Sequence, residues 1–189
     1  MIRAFVAIKI DPDVAQKICQ VQSKLDTSLK GIRWVKPENL HLTLKFLGPV
    51  SDDKVASIAD SLERALYATT RFSVSCGGLG VFPDIRRAKV LWVGLEGKPI
   101  ANLAATVEDA LEPLGFAREK REFKPHLTIG RWRNSAGRPD LLRRALEQGQ
   151  RQNFGTSNMH EVILFQSVLK PSGAVYTPLK VFPFAQKPR

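Results

Sequence analysis

The chain has 189 residues, with 29 Lys and Arg against 18 Asp and Glu, and a formal net charge of +11 at pH 7. That length suits one large domain or two small packed lobes, and no apolar run is long enough to span a bilayer. The opening residues lack a secretory-leader pattern, and the charge excess argues for a polyanionic partner, nucleic acid first. The cysteines Cys19 and Cys76 form neither a disulfide framework nor a zinc pattern. They read as small apolar residues in a reducing compartment, so a cytoplasmic location is expected.

Ile2 to Ile10 alternates like a strand. The following DPDVAQKICQVQSKLDTSLKG reads as a helix, with Asp11 as N-cap, Pro12 in the first turn and Gly31 at the end. Val14, Ile18, Val21 and Leu25 form its apolar stripe. IRWV is a short strand, KPEN a turn and LHLTLKFL a strand. Ser51 opens a second helix that turns Val55, Ile58, Leu62 and Leu66 inward, and RFSVSCGG is a further strand.

The same order then begins again. AKVLWVGL is a strand, and KPIANLAATVEDALEPLG is a helix with Pro99 near its start and Gly115 at its end. REFKP, in the place of the earlier short strand, leads into the strand HLTIGRW. GRPDLLRRALEQG is a fourth helix and MHEVILFQSVL a strand. VYTPLKVFPF closes the chain, as a hairpin through KPSG.

His-Leu-Thr occurs at His41 and again 85 positions later at His126, and each histidine follows a central strand residue, Val6 or Leu91, by 35 positions. The period is too long for a solenoid unit and marks an internal duplication, about 1–86 and 87–189. The expected fold is α+β: a single bilobal domain over 1–189, with two antiparallel-rich sheets and helices outside. A pseudo-two-fold axis relates the halves around a central groove. A monomer is expected.

Side chains alternate across a strand. Leu40, Leu42, Leu44 and Phe46 are therefore expected in a core, with His41, Thr43 and Lys45 on the other face. Leu127 and Ile129 likewise oppose His126 and Thr128. Two imidazoles facing each other suit in-line cleavage of a phosphodiester, one as base and one as acid, without a metal or other cofactor. Threonine hydroxyls suit the non-bridging oxygens. A duplicated fold would also repeat His-Leu-Thr as inherited scaffold, so the residues alone leave both readings open.

WVKPENLHLTLKFLG together with KPHLTIGRWR resembles the two-histidine (2H) phosphoesterase superfamily, within it the RNA 2′,3′-cyclic phosphodiesterases also called 2′-5′ RNA ligases. The resemblance extends through FVAIKID, GVFPDIRRAKVLWVGL, PLGF and YTPLKVFPF. It implies hydrolysis of a terminal 2′,3′-cyclic phosphate on RNA to a 2′-phosphomonoester, with reversible 2′-5′ ligation as a minor activity and small cyclic nucleotides as further substrates. It implies His41 as proton donor, His126 as proton acceptor, and Thr43, Thr128 and Arg131 as phosphate ligands. Strict alternation turns Arg131 away from the site, so the strand must bulge, twist or end near Gly130. Lys45, Phe82 and Tyr176 are candidates for RNA contact. Trp34, Trp92 and Trp132 read as packing residues and His160 as incidental. The alternative is an RNA-binding module whose phosphodiesterase activity is incidental.

Overall fold

The computed structural model describes residues 1–171 and 173–186. Its strands are β1 (Ile2–Lys9), β2 (Ile32–Trp34), β3 (His41–Val50), β4 (Phe72–Phe82), β5 (Val90–Glu96), β6 (His126–Trp132), β7 (Asn153–Met159), β8 (Glu161–Lys170) and β9 (Gly173–Pro183). The helices are α1 (Pro12–Asp26), α2 (Asp52–Leu66), α3 (Lys98–Leu111) and α4 (Pro139–Gly149). The strands run in the order β7-β4-β5-β6-β3-β1-β8-β9, with β2 beside β6. All these pairs are antiparallel. The two expected sheets meet edge to edge at a narrow seam, where Leu42 of β3 lies opposite Leu127 of β6.

Each half draws strands from both sequence repeats. β4 closes onto β5, and β8 returns to β1. The helices cross over in the same way: α1 contacts β7 and bonds to β6, whereas α3 contacts β3. One apolar core fills the space between sheet and helices. Val6, Ile8, Leu42, Leu91, Leu127 and Ile129 supply its strand side, and Ile18, Ile58, Leu62, Val107 and Leu142 its helix side. Burial of each such side chain stabilises the fold by about 1.5–3 kcal/mol. A small second cluster, Phe5, Ala7, Ile163 and Phe165 with Tyr176 against it, sits on the opposite face of β1 and β8. Among the described residues no helix is long and apolar enough to cross a membrane.

Three local expectations need correction. Asp11 makes no side-chain cap to α1; its carboxylate instead accepts from the Asn158 backbone N–H and side-chain amide, which ties the end of β1 to β7. MHEVILFQSVL is not one strand: Met159 ends edge strand β7, which begins at Asn153, and β8 starts at Glu161; Phe154, Ser157 and Met159 of β7 point inward. REFKP forms no strand, and the approach to β6 is irregular. β8 and β9 pair as a hairpin up to Lys170 and Gly173, while residue 172 of the expected turn lies outside the described residues.

Candidate active site

The seam sets the geometry. Leu42 and Leu127 point into the core, so their neighbours point to the other face. Continuing the register one residue each way puts His41 opposite Thr128 and Thr43 opposite His126. The four side chains form a rectangle with the histidines on one diagonal and the threonines on the other. Such diagonal positions lie about 7–8 Å apart, a gap that one phosphate group can bridge. All four line one cavity of about 210 Å³.

Both rings are held alike. Nδ1 of His41 lies 2.7 Å from the Asn39 carbonyl oxygen, and Nδ1 of His126 lies 2.7 Å from that of Lys124. A carbonyl oxygen only accepts, so Nδ1 carries the hydrogen in each ring. Nε2 is left to exchange protons with whatever enters the cavity. Asn39 is itself anchored, because its side-chain amide donates to the Ala174 carbonyl of β9 at 2.9 Å.

The alternation then breaks at the same place in both strands. Against β1, β3 has an extra residue at Leu44 and, farther from the seam, another at Leu47; against β5, β6 has one at Ile129. The bulges at Leu44 and Ile129 each place two successive residues on the core side and return the next to the groove. In β6 these are Ile129 and Gly130, and Arg131 is returned to the cavity, its guanidinium 3.4 Å from the Thr128 hydroxyl. Gly130 is needed there because a Cβ would lie 2.3 Å from Cδ1 of Ile32. In β3 they are Leu44 and Lys45, and Phe46 is returned to the cavity.

The bulge overturns two readings made from strict alternation. Lys45, a candidate RNA contact, is 7% exposed and faces the helices. Its ammonium pairs with Glu108 of α3 and donates to the Ala117 carbonyl at 2.8 Å. Phe46, expected in the core, is 69% exposed and lines the cavity. The signal for both was available in the repeat: Phe46 and Arg131 each lie five positions after their histidine.

Aromatic rings flank both imidazoles. Phe5 lies 5.0 Å from His41, and Tyr176 meets it edge-on at 5.2 Å and 89°. Phe82 meets His126 edge-on at 5.0 Å and 81°, and Trp92 stands 6.3 Å away. Tyr176 lines the cavity; Phe82 packs between His126 and Trp92. Trp34 and Trp132 donate their indole N–H groups to Asp26 and the Lys30 carbonyl, and His160 is exposed 3.9 Å from Asp11. Among the described residues no three His, Cys, Asp or Glu side chains are grouped to hold a metal ion.

The environment favours neutral imidazoles in the free groove. Burial pushes His41 down to about 4, opposed by its bond to the Asn39 carbonyl and reinforced by the positive charge of Arg131 and of His126. Burial also lowers His126, the Lys124 carbonyl opposes this, and Arg131 adds to it. Burial raises the Tyr176 phenol, and Arg131 draws it back. The cavity is thus lined by two arginines, Arg3 and Arg131, and two imidazoles held toward the neutral form, with no carboxylate among its described lining residues.

The model of the LigT-like phosphoesterases matches this chain twice, over residues 8–92 and 93–176. An RNA 2′,3′-cyclic phosphodiesterase of Archaeoglobus fulgidus is 36% identical over 182 residues, spanning 95% of this chain and 99% of that protein. One of Methanothermobacter thermautotrophicus is 34% identical over 182 residues, spanning 96% and 98%. Among solved structures, a protein of Thermus thermophilus superposes with a TM-score of 0.83 at 26% identity, over 98% of this chain and 99% of that one. Escherichia coli LigT complexed with 3′-AMP gives 0.80 at 26% identity, over the same shares.

Proposed function

The chain belongs to the LigT-like phosphoesterase family, and on that premise we propose that it hydrolyses the terminal 2′,3′-cyclic phosphate of RNA to a 2′-phosphomonoester by acid–base catalysis between His41 and His126. The observation that carries this reading is the seam rectangle: two imidazoles with the same tautomer, on one diagonal, lining one cavity. Curated relatives over nearly the whole chain are RNA 2′,3′-cyclic phosphodiesterases, which supports the substrate class.

The cyclic phosphate enters between the rings. Its non-bridging oxygens accept hydrogen bonds from Thr43 and Thr128, and Arg131 balances their charge. Nε2 of His126 takes a proton from a water molecule as that water attacks phosphorus. The P–O3′ bond on the far side breaks, and O3′ receives the proton carried by Nε2 of His41. One water is consumed, and one phosphomonoester and one hydroxyl result. The protonated His41 that this requires is scarce in the free groove. The bound phosphate anion supplies the negative charge the pocket lacks and raises its basicity.

The test is incubation with an RNA oligonucleotide ending in a 2′,3′-cyclic phosphate, in excess chelator, followed by assignment of the oxygen that keeps phosphorus. A 2′-phosphomonoester is expected. His41→Ala and His126→Ala should each slow the reaction by about 10²–10⁴-fold. An unchanged cyclic end at high protein concentration, or full activity in either variant, would refute the reading.

A further inference from the structure

The cavity holds two guanidiniums, and the chemistry at its centre uses one of them. A cyclic phosphodiester carries a single negative charge, and Arg131 stands beside Thr128 to meet it. Arg3 has no part in that chemistry. It lies near the start of β1, opposite Pro49 of β3, and lines the same cavity. Ala4, Val6 and Ile8 of β1 belong to the core, so alternation turns Arg3 to the groove face with Phe5 and Ala7. Its side chain is exposed, and among the described residues no carboxylate pairs with it. The cavity is also one-sided. It runs from the seam along β1 and β3, whereas β4, β5 and β7 supply no residue to it. The repeat matches Arg3 to Ala88, 85 positions later, which is fully buried and accepts a hydrogen bond from the Ala136 backbone N–H at 3.0 Å. The second half thus has neither the opening nor the cation.

We propose that Arg3 binds the phosphodiester one nucleotide upstream of the cyclic end, so that the site selects the terminus of an RNA chain over a free cyclic mononucleotide. The inference deepens the hydrolase reading and rests on it. In-line attack from the His126 side puts the departing O3′ at His41. The ribose that bears O3′ then lies over β1 and β3, the side along which the cavity runs. Its 5′ oxygen carries the next phosphate of the chain, and the open path leads along β1. Thr43 lies opposite Ala7, and Arg3 is four residues farther along β1, about 13 Å at the usual rise of a strand. One sugar with its 5′ phosphate, met by an extended arginine side chain, covers that length. A guanidinium presents two parallel N–H donors to phosphate oxygens. Such a contact counts charge along the backbone and reads no base.

The experiment compares two substrates that differ in one charge. Each is 2′-O-methyladenosine joined 3′ to 5′ to adenosine 2′,3′-cyclic phosphate. The internal linkage is a phosphodiester in one and a neutral methylphosphonate in the other. The quantity read is the ratio of kcat/KM, charged over neutral, which is insensitive to a general loss of active protein. The parent should favour the charged linkage by about 5-fold to 20-fold, between the worth of an exposed ion pair and that of a hydrogen-bonded charge. Added salt should shrink this preference. Arg3→Gln should bring the ratio to within about 2-fold of unity. Arg3→Lys should give an intermediate ratio, because an ammonium keeps the charge and loses the paired donors. A parent ratio of unity would overturn the subsite. So would a ratio unchanged in Arg3→Gln, the result if Arg3 served the cyclic phosphate itself or solvent alone. Turnover of neither substrate by the parent protein would instead sink the hydrolase reading, and the subsite with it.

Discussion

Lowering the pH of the free protein from 8 to 4 should leave His41 uncharged over most of the range. Its pKa of about 4 lies well below the ordinary 6.5 because the ring is buried, with Arg131 and His126 nearby. At pH 7 roughly one molecule in a thousand then carries the proton on His41. The chain has 3 histidines, so their ring signals in proton–carbon spectra can be assigned with His41→Asn, His126→Asn and His160→Asn. Bound inorganic phosphate should move the His41 midpoint upward. The unfolded chain binds this proton below pH 6.5 while the folded chain does not until about 4. Stability is therefore full above 6.5 and falls as pH drops through that window. The loss approaches about 3 kcal/mol as an upper limit, and His41→Asn removes this component. Because kcat/KM reports the free enzyme, its optimum should lie below pH 6.5, and that of kcat, set in the complex, should lie higher. A His41 midpoint at or above 6.5 in the free protein would refute the argument.

Lys45→Met should cost about 3 kcal/mol, because it strands the Glu108 carboxylate and the Ala117 carbonyl. In a domain of this size the melting temperature should fall by about 6–12 °C. Lys45→Met/Glu108→Leu should recover most of that, with kcat/KM within about 3-fold of the parent in both. Unchanged melting with a large activity loss would mean that Lys45 reaches the substrate after all. Arg131→Met should lower kcat/KM by about 10²–10³-fold and, by removing a cation that depresses both rings, raise the midpoints of His41 and His126 in the same spectra. Gly80→Ala should destabilise the fold by about 1–3 kcal/mol in a denaturant titration, since the added Cβ would lie 2.1 Å from the Trp92 ring, and should displace the His126 signal.

How much of this was legible without coordinates depends on which physical rule governed each residue. The helices were readable because their stripes obey one period: Ile58, Leu62 and Leu66 of α2 are all buried. The duplication was readable because motif and spacing recur together, and it placed His41, Thr43, His126 and Thr128 on one face. Lys45 and Phe46 were not readable from alternation, because one inserted residue at Leu44 reverses Lys45, Phe46 and Leu47, until a second at Leu47 restores the pattern. β7 was hidden for a different reason. Its pairing with β4 is a non-local contact, and a strand of Asn, Gly, Thr and Ser carries little intrinsic preference for it.

The bulges at Leu44 and Ile129 are also held by reciprocal means. A bulge leaves ladder groups without their usual partners. At β6 the buried amide of Gln22, on α1, donates to the Ile129 carbonyl at 2.8 Å and to the Val35 carbonyl at 2.9 Å. At β3 the ammonium of Lys45 turns inward and is met by Glu108, on α3. Gln22 and Glu108 come from the first helix of each repeat and lie 86 positions apart, one more than the histidines. Each repeat thus supplies one histidine-bearing strand and a helix that bonds to the bulge region of the other. Neither repeat alone could close its core or aim its sixth motif residue, Phe46 or Arg131, into the groove. The duplication therefore reads as one cooperative unit whose halves depend on each other through their crossed helices. Because the crossed contacts are chemically unlike, an amide bonded to backbone carbonyls on one side and an ion pair on the other, the pseudo-axis could keep its backbone symmetry while its two faces took up different tasks.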